Sequence, residues 1–122
     1  MRITISTVAT ALALCLVGVA PSFANDFDQA IEALGDYNYP KAVPALRAAA
    51  EHDMRAQEIL GFLLLHGDAI YSGITPDRAE AMQWFARAAA GGSDVAQQLL
   101  RAWARRGHAD ADRALATAGL RP

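Results

Sequence analysis

The chain of 122 residues has a single cysteine, Cys15, a single lysine, Lys41, and few aromatic side chains, 7% of the whole. One thiol excludes a disulfide framework. With so little lysine, nearly all positive charge is arginine, which stays protonated at any accessible pH. The formal charge of −2 leaves no basic footprint for nucleic acid and no polybasic run for an anionic membrane surface. Beyond Asn25 no stretch alternates β-branched with polar residues, so strands are not expected. What is plentiful is alanine, within a composition that is 53% apolar, which suits closely packed helices and excludes a disordered tail.

Residues 1–24 read as a secretory signal rather than as part of the fold. Arg2 and the free amine make a positive start, residues 3–20 are apolar apart from Thr4, Ser6, Thr7 and Thr10, and Pro21 breaks the run. Ser22 and Ala24 then place small residues at −3 and −1, which predicts cleavage after Ala24. A retained anchor is the alternative, because the apolar run is only just short of a span. Leu14 before Cys15 excludes a lipoprotein signal. Cleavage would leave residues 25–122 with 10 basic and 13 acidic side chains, no thiol and no stable membrane anchor. Such a chain fits an oxidising compartment, the periplasm or the cell exterior.

The remainder predicts one all-α domain of about six helices in antiparallel pairs. Asn25 or Asp26 caps a first helix with Phe27, Ile31 and Leu34 inward and Gly35 near its end. Pro40 opens a second, with Pro44 in its first turn and Ala42, Val43, Leu46 and Ala49 inward. Asp53 caps a third, which carries Ala56, Ile59, Leu60, Leu63 and Leu64 and stops at Gly67. After a loop over 68–75, Thr75-Pro76 reads as cap and first position of a fourth helix, with Ala79, Met82, Trp84, Phe85 and Ala88 inward and Gly91-Gly92 at its end. Ser93 starts a fifth, striped by Val95, Leu99, Leu100 and Trp103 and ended by Gly107, and Asp110 opens a short sixth around Leu115.

The chain also repeats itself at a spacing of 40. Residues 47–67 match 87–107 at eight positions: Arg47-Ala48-Ala49-Ala50 with Arg87-Ala88-Ala89-Ala90, Ala56-Gln57 with Ala96-Gln97, Leu60 with Leu100, and Gly67 with Gly107. A helix pair cannot bury both faces alone, so a repeat of this length implies units that stack. The run Ala56-Gln57-x-x-Leu60-Gly61-x-x-Leu64-x-x-Gly67, followed by Gly73-Ile74-x-x-Asp77-x-x-Glu80-Ala81-x-x-Trp84-Phe85-x-Arg87-Ala88-Ala89-x-Gly91, resembles a Sel-one-like repeat, a relative of the tetratricopeptide repeat. Leu64 stands where that family has tyrosine, Ile74 where it has valine, and Ala81 where a basic residue is common. The resemblance implies a short α/α solenoid of helical hairpins. Residues 25–52 would form a leading hairpin, 53–92 the best-matched repeat, and 93–122 a partial repeat and cap.

Catalytic and metal-binding patterns are scarce. His52, His66 and His108 sit at expected helix ends, where a last-turn imidazole meets the carbonyl end of the helix, and none has a ligand-like spacing to another. Ser93 and Thr75 are accounted for as caps, and no serine sits in a nucleophile elbow. No cofactor, metal or enzymatic activity is therefore expected. In the resembling family the first helix of each hairpin lines a concave face that binds protein or peptide. The matching positions here are Arg55, Glu58, Phe62 and Leu65 on the third helix and Arg101 and Arg105 on the fifth. Phe62 and Leu65 either face a ligand or pack against the preceding hairpin. Arg101, Arg105, Arg106 and Arg113 either pair with Asp110 and Asp112 or meet an acidic partner. A homodimer made by stacking of exposed end hairpins is a further possibility.

Overall fold

A computed structural model describes residues 23–122; the signal segment expected over residues 1–24, with Cys15, lies outside them except for its last two residues. Among the described residues there are six α-helices, one short 3-10 turn and no strand. The helices are α1 (Phe23–Gly35), α2 (Tyr39–Ala50), α3 (Met54–His66), α4 (Arg78–Ala90), α5 (Asp94–Arg105) and α6 (Ala109–Thr117), and the 3-10 turn Gly67–Ala69 follows α3. Each helix packs on the next in sequence, and α4 touches α6 as well as α5. None of them is long and apolar enough to cross a membrane.

The helix starts follow local chemistry. Asn38 accepts from the Lys41 N–H, Asp53 from Arg55, Asp77 from Glu80 and Ser93 from Ala96, each satisfying a first-turn donor. Asp77, not Thr75, therefore caps α4, with Glu80 three residues on as in a capping box. Thr75-Pro76 lies before the helix, and Pro76 turns back against Gly67 at the end of α3. Pro44 is inside α2, beyond the first turn, so the Pro40 carbonyl lacks its helical donor. α1 starts at Phe23, ahead of the expected Asn25 or Asp26 cap, and α6 starts at Ala109. His108 is thus the N-cap of α6 and not a last-turn residue.

Several helix ends share one geometry. After α4, Gly92 donates to the Ala89 carbonyl and Ser93 to that of Ala88; after α5, Gly107 donates to Ala104 and His108 to Trp103. This is the Schellman pattern, with a left-handed glycine one residue past the cap. α1 ends in the same way, but the left-handed residue is Tyr37, φ 56°, with Tyr37 bonded to Leu34 and Asn38 to Ala33. Its ring is 77% exposed and touches only the edge of Tyr39 in the aromatic contacts it makes. Tyr37→Gly should relieve about 1 kcal/mol of backbone cost, partly offset by the greater freedom of glycine in the unfolded chain. The expected result is a thermal midpoint raised by roughly 2–5 °C, read by circular dichroism.

The core takes fully buried large side chains from five helices: Leu46 from α2, Leu60 and Leu63 from α3, Phe85 from α4, Leu100 from α5 and Leu115 from α6. Much of the rest of the core is alanine, which lets helix axes approach closely. Those alanines decide which way the helices face. Ala30 and Ala33 are buried on α1, which turns Ile31 outward to 45% exposure. Ala96 and Leu100 are buried on α5, which turns Val95 outward to 52% exposure. On α4 the buried face runs through Ala81, Trp84, Phe85 and Ala88, and Ala79 points to solvent. The inward placements of Ile31, Val95 and Ala79 that apolar spacing suggests are therefore wrong: on α1 and α5 alanine, not the larger residue beside it, occupies the contact, and on α4 the buried face begins at Ala81.

The 40-residue repeat has a structural counterpart in the Ala-Gln pair. Gln57 Nε2 donates to the Ala50 carbonyl at 2.8 Å, and Gln97 Nε2 donates to the Ala89 carbonyl at 3.0 Å. In both places a side chain from the start of one helix donates to a carbonyl in the last turn of the helix before it; the acceptors differ by one position, since Ala90 and not Ala89 aligns with Ala50, and Ala89 also accepts from Gly92.

Candidate interaction surface

The six residues that the sequence nominates do not form one surface. Phe62 is half-buried, edge-on to the Phe85 ring at 5.1 Å between centroids and stacked near His66. Leu65 is likewise packed against the core. Both are partly buried against the core, and the ring Phe62 meets is Phe85 of α4, in its own hairpin and not in the preceding one. Arg55 bonds to Asp53 through Nε and Nη2 and lies 4.2 Å from the centre of the Phe27 ring of α1. The Arg55 hydrogen bond holds the Asp53 carboxyl below the ordinary carboxylate range. Glu58 accepts a hydrogen bond from Ser93 Oγ, which ties α3 to the start of α5. These four residues serve the joints between helices.

Arg101 and Arg105 are placed differently. With Val95, Gln98, Leu99 and Ala102 they line an open depression of about 500 Å³ on the outer side of α5. Arg101 donates to the Arg121 carbonyl at 3.3 Å and to Gln97 Oε1 at 3.4 Å, and among the described residues neither Arg101 nor Arg105 forms an ion pair. Of the two acids expected to neutralise this cluster, Asp110 pairs with Arg78 of α4, whose hydrogen bond lowers its pKa, and Asp112 forms no ion pair among the described residues. The surface is an apolar strip of Val95, Leu99 and Ala102 edged by uncompensated guanidinium groups. Sequence reading placed Val95 and Leu99 inward; Leu99 is packed against the core while it lines the depression, and Val95 is exposed, so that part of the surface was missed.

A second, larger depression of about 650 Å³ lies between α4 and α6, floored by Met82, Ala86 and Ala114. Two of its rim arginines are engaged within the fold, Arg78 with Asp110 and Arg87 with Glu51. Arg78 and Arg87 also lie over the rings of Trp103 and Trp84, at 5.5 and 5.0 Å. The third arginine of its lining, Arg113, forms no ion pair among the described residues, so this edge is engaged in part. Among the described residues no group of three or more histidine, cysteine or acidic side chains is placed to hold a metal ion.

Compared with family models, with curated proteins and with solved structures, the chain matches none.

Proposed function

We propose that the chain is a non-enzymatic adaptor of the Sel-one-like type, exported to the periplasm or the cell exterior, whose helices stack as hairpins of a short α/α solenoid. It binds a protein or peptide segment on the outer face of α5. The observation that carries this reading is the strip of Val95, Leu99 and Ala102 beside Arg105, an apolar surface with a cationic edge that no ion pair among the described residues neutralises. Apolar anchors with arginine at their rim are a frequent composition for binding energy in protein interfaces. The hydroxyl groups bear on the same point: Ser93 Oγ is held between Glu58 and the Ala96 N–H, and Thr117 Oγ1 donates to the Arg113 carbonyl. Both are engaged in structure, Ser93 as the cap of α5 and Thr117 within α6.

The test is affinity capture from periplasmic extract with the chain as bait, beside a Val95→Asp variant whose helicity circular dichroism shows to be equal. Val95 is exposed, so its replacement leaves the core intact. The expected result is a partner retained by the parent and lost from the variant. The same partner retained equally by both would overturn the assignment to α5. Recovery of the chain alone, with a mass by light scattering that rises with concentration, would replace the adaptor by a self-assembling structural protein.

A further inference from the structure

All three tyrosines of the chain lie in one surface cluster. Tyr37 stands in the turn between α1 and α2, Tyr39 opens α2, and Tyr71 follows the 3-10 turn. Pro40 and Gly73 bring the two turns together, since a Cβ on Gly73 would stand 2.9 Å from Pro40 Cγ. Tyr37 and Tyr39 meet edge to face at 6.4 Å between centroids, and Tyr39 and Tyr71 at 5.2 Å. Tyr37 is the costly member. Its backbone is left-handed, φ 56°, and its ring is 77% exposed, so the fold gains little from the side chain that carries the strain. Strain kept without a return in packing points from stability toward function.

The rest of the fold shows what such a ring accepts. Arg55 lies over Phe27 and pairs with Asp53, Arg87 lies over Trp84 and pairs with Glu51, and Arg78 lies over Trp103 and pairs with Asp110. Three times, then, a carboxylate holds a guanidinium against a ring. The planar group gains from the ring face and keeps its donors for the carboxylate. At the tyrosine cluster the ring and the carboxylate are present without the arginine. Asp36, next to Tyr37, is exposed and forms no ion pair, and among the described residues no arginine or lysine lies over a tyrosine ring. Lys41, the nearest cation along the chain, leaves α2 about 200° around the helix from Tyr39. Residues 25–72 carry eight acidic and three basic side chains, a field that draws a cation. A second copy is the poorer source of it, because residues 25–122 carry 13 acidic against 10 basic side chains and like-charged copies repel.

We propose that the tyrosine cluster is the docking site for an arginine in a basic segment of a partner protein, its guanidinium on the Tyr37 ring and its donors on Asp36. The site shares no residue with the α5 strip, and its test is independent of the capture experiment.

The probe is a synthetic peptide of alternating glycine and arginine, acetylated and amidated at its ends, titrated into the chain with isotope-labelled tyrosine rings. Because every tyrosine belongs to the cluster, the ring signals in the nuclear magnetic resonance spectrum report on it alone. The expected result is a saturable shift of these signals that rising salt weakens. Tyr37→Gly should weaken binding roughly threefold to fivefold while raising the thermal midpoint, so that lost binding is not lost folding. Tyr37→Phe should retain it, and Asp36→Asn should weaken it about twofold or more. A peptide with citrulline for arginine, equal in shape and uncharged, should not bind, and one with lysine should bind more weakly. Binding unchanged by Tyr37→Gly would overturn the proposal, as would equal binding of the citrulline or lysine peptide, or no shift at millimolar concentration. A mass that rises with concentration in the parent but not in Tyr37→Gly would give the site to a second copy and overturn the partner.

Discussion

Gly67→Ala is expected to cost about 4 kcal/mol, a large share of what a domain of this size has in total. Two costs add. Gly67 sits at φ 55°, ψ −146°, a region that residues with a Cβ hardly enter, which accounts for roughly 1–3 kcal/mol. A methyl placed there would also stand 2.6 Å from Cβ and Cδ of Pro76, whose ring cannot rotate away, and relieving that overlap costs a similar amount. The control is Gly107, which the repeat aligns with Gly67. Its φ is 87°, but nothing lies within 4 Å of a new Cβ, so Gly107→Ala should cost only about 1–2 kcal/mol. Urea unfolding of the two variants tests the account through their order. Equal losses would mean that Pro76 plays no part and that both glycines serve only to reverse the chain.

That pair also shows what a sequence can and cannot say. Both glycines are legible as helix stops, because the need for a left-handed residue is local. The caps Asp53 and Ser93 are legible for the same reason: a carboxylate or hydroxyl reaches an N–H only two or three residues away. Asp77 was legible too, through Glu80 three residues on, but Thr75-Pro76 offered a competing start, and only the packing of Pro76 on Gly67 decides between them. Tyr37 gave no signal, since nothing in a tyrosine announces a positive φ. The facing of α1 and α5 was the hardest part. Ile31 lies one residue from Ala30, and Val95 one from Ala96, a turn of about 100° around the helix. Apolar spacing fits either choice, and the closeness of the neighbouring helix selects alanine. The candidate surface was accordingly half visible. Arg101 and Arg105 share a face by their spacing, whereas Val95 beside them was credited to the core.

The other large effect centres on Phe85, the largest fully buried side chain. Its ring is met edge-on by Phe62 from α3 and by Trp103 from α5, at 5.1 and 5.8 Å between centroids, so one side chain of α4 joins three helices. Phe85→Ala should cost about 4 kcal/mol, since the rings around it cannot collapse into the space without breaking both contacts. The ring fits because residue 61 is glycine: a Cβ there would stand 2.8 Å from Phe85 Cε1 and Cζ. Gly61→Ala should therefore cost about 2 kcal/mol, although alanine is the better helix former by nearly 1 kcal/mol. In the Phe85→Leu background the ring edge is gone, and the same Gly61→Ala change should become neutral or stabilising. The sign reversal is what the double-mutant cycle measures, with a coupling of roughly 2 kcal/mol. A cost for Gly61→Ala that is the same in both backgrounds would show that the glycine serves the backbone of α3 and not the ring. Because Phe85 also supports Trp103, its loss should disturb the edge of the α5 strip. Binding by α5 is then expected to weaken in Phe85→Leu even where the helices remain formed, which links the packing of the core to the surface proposed for the partner.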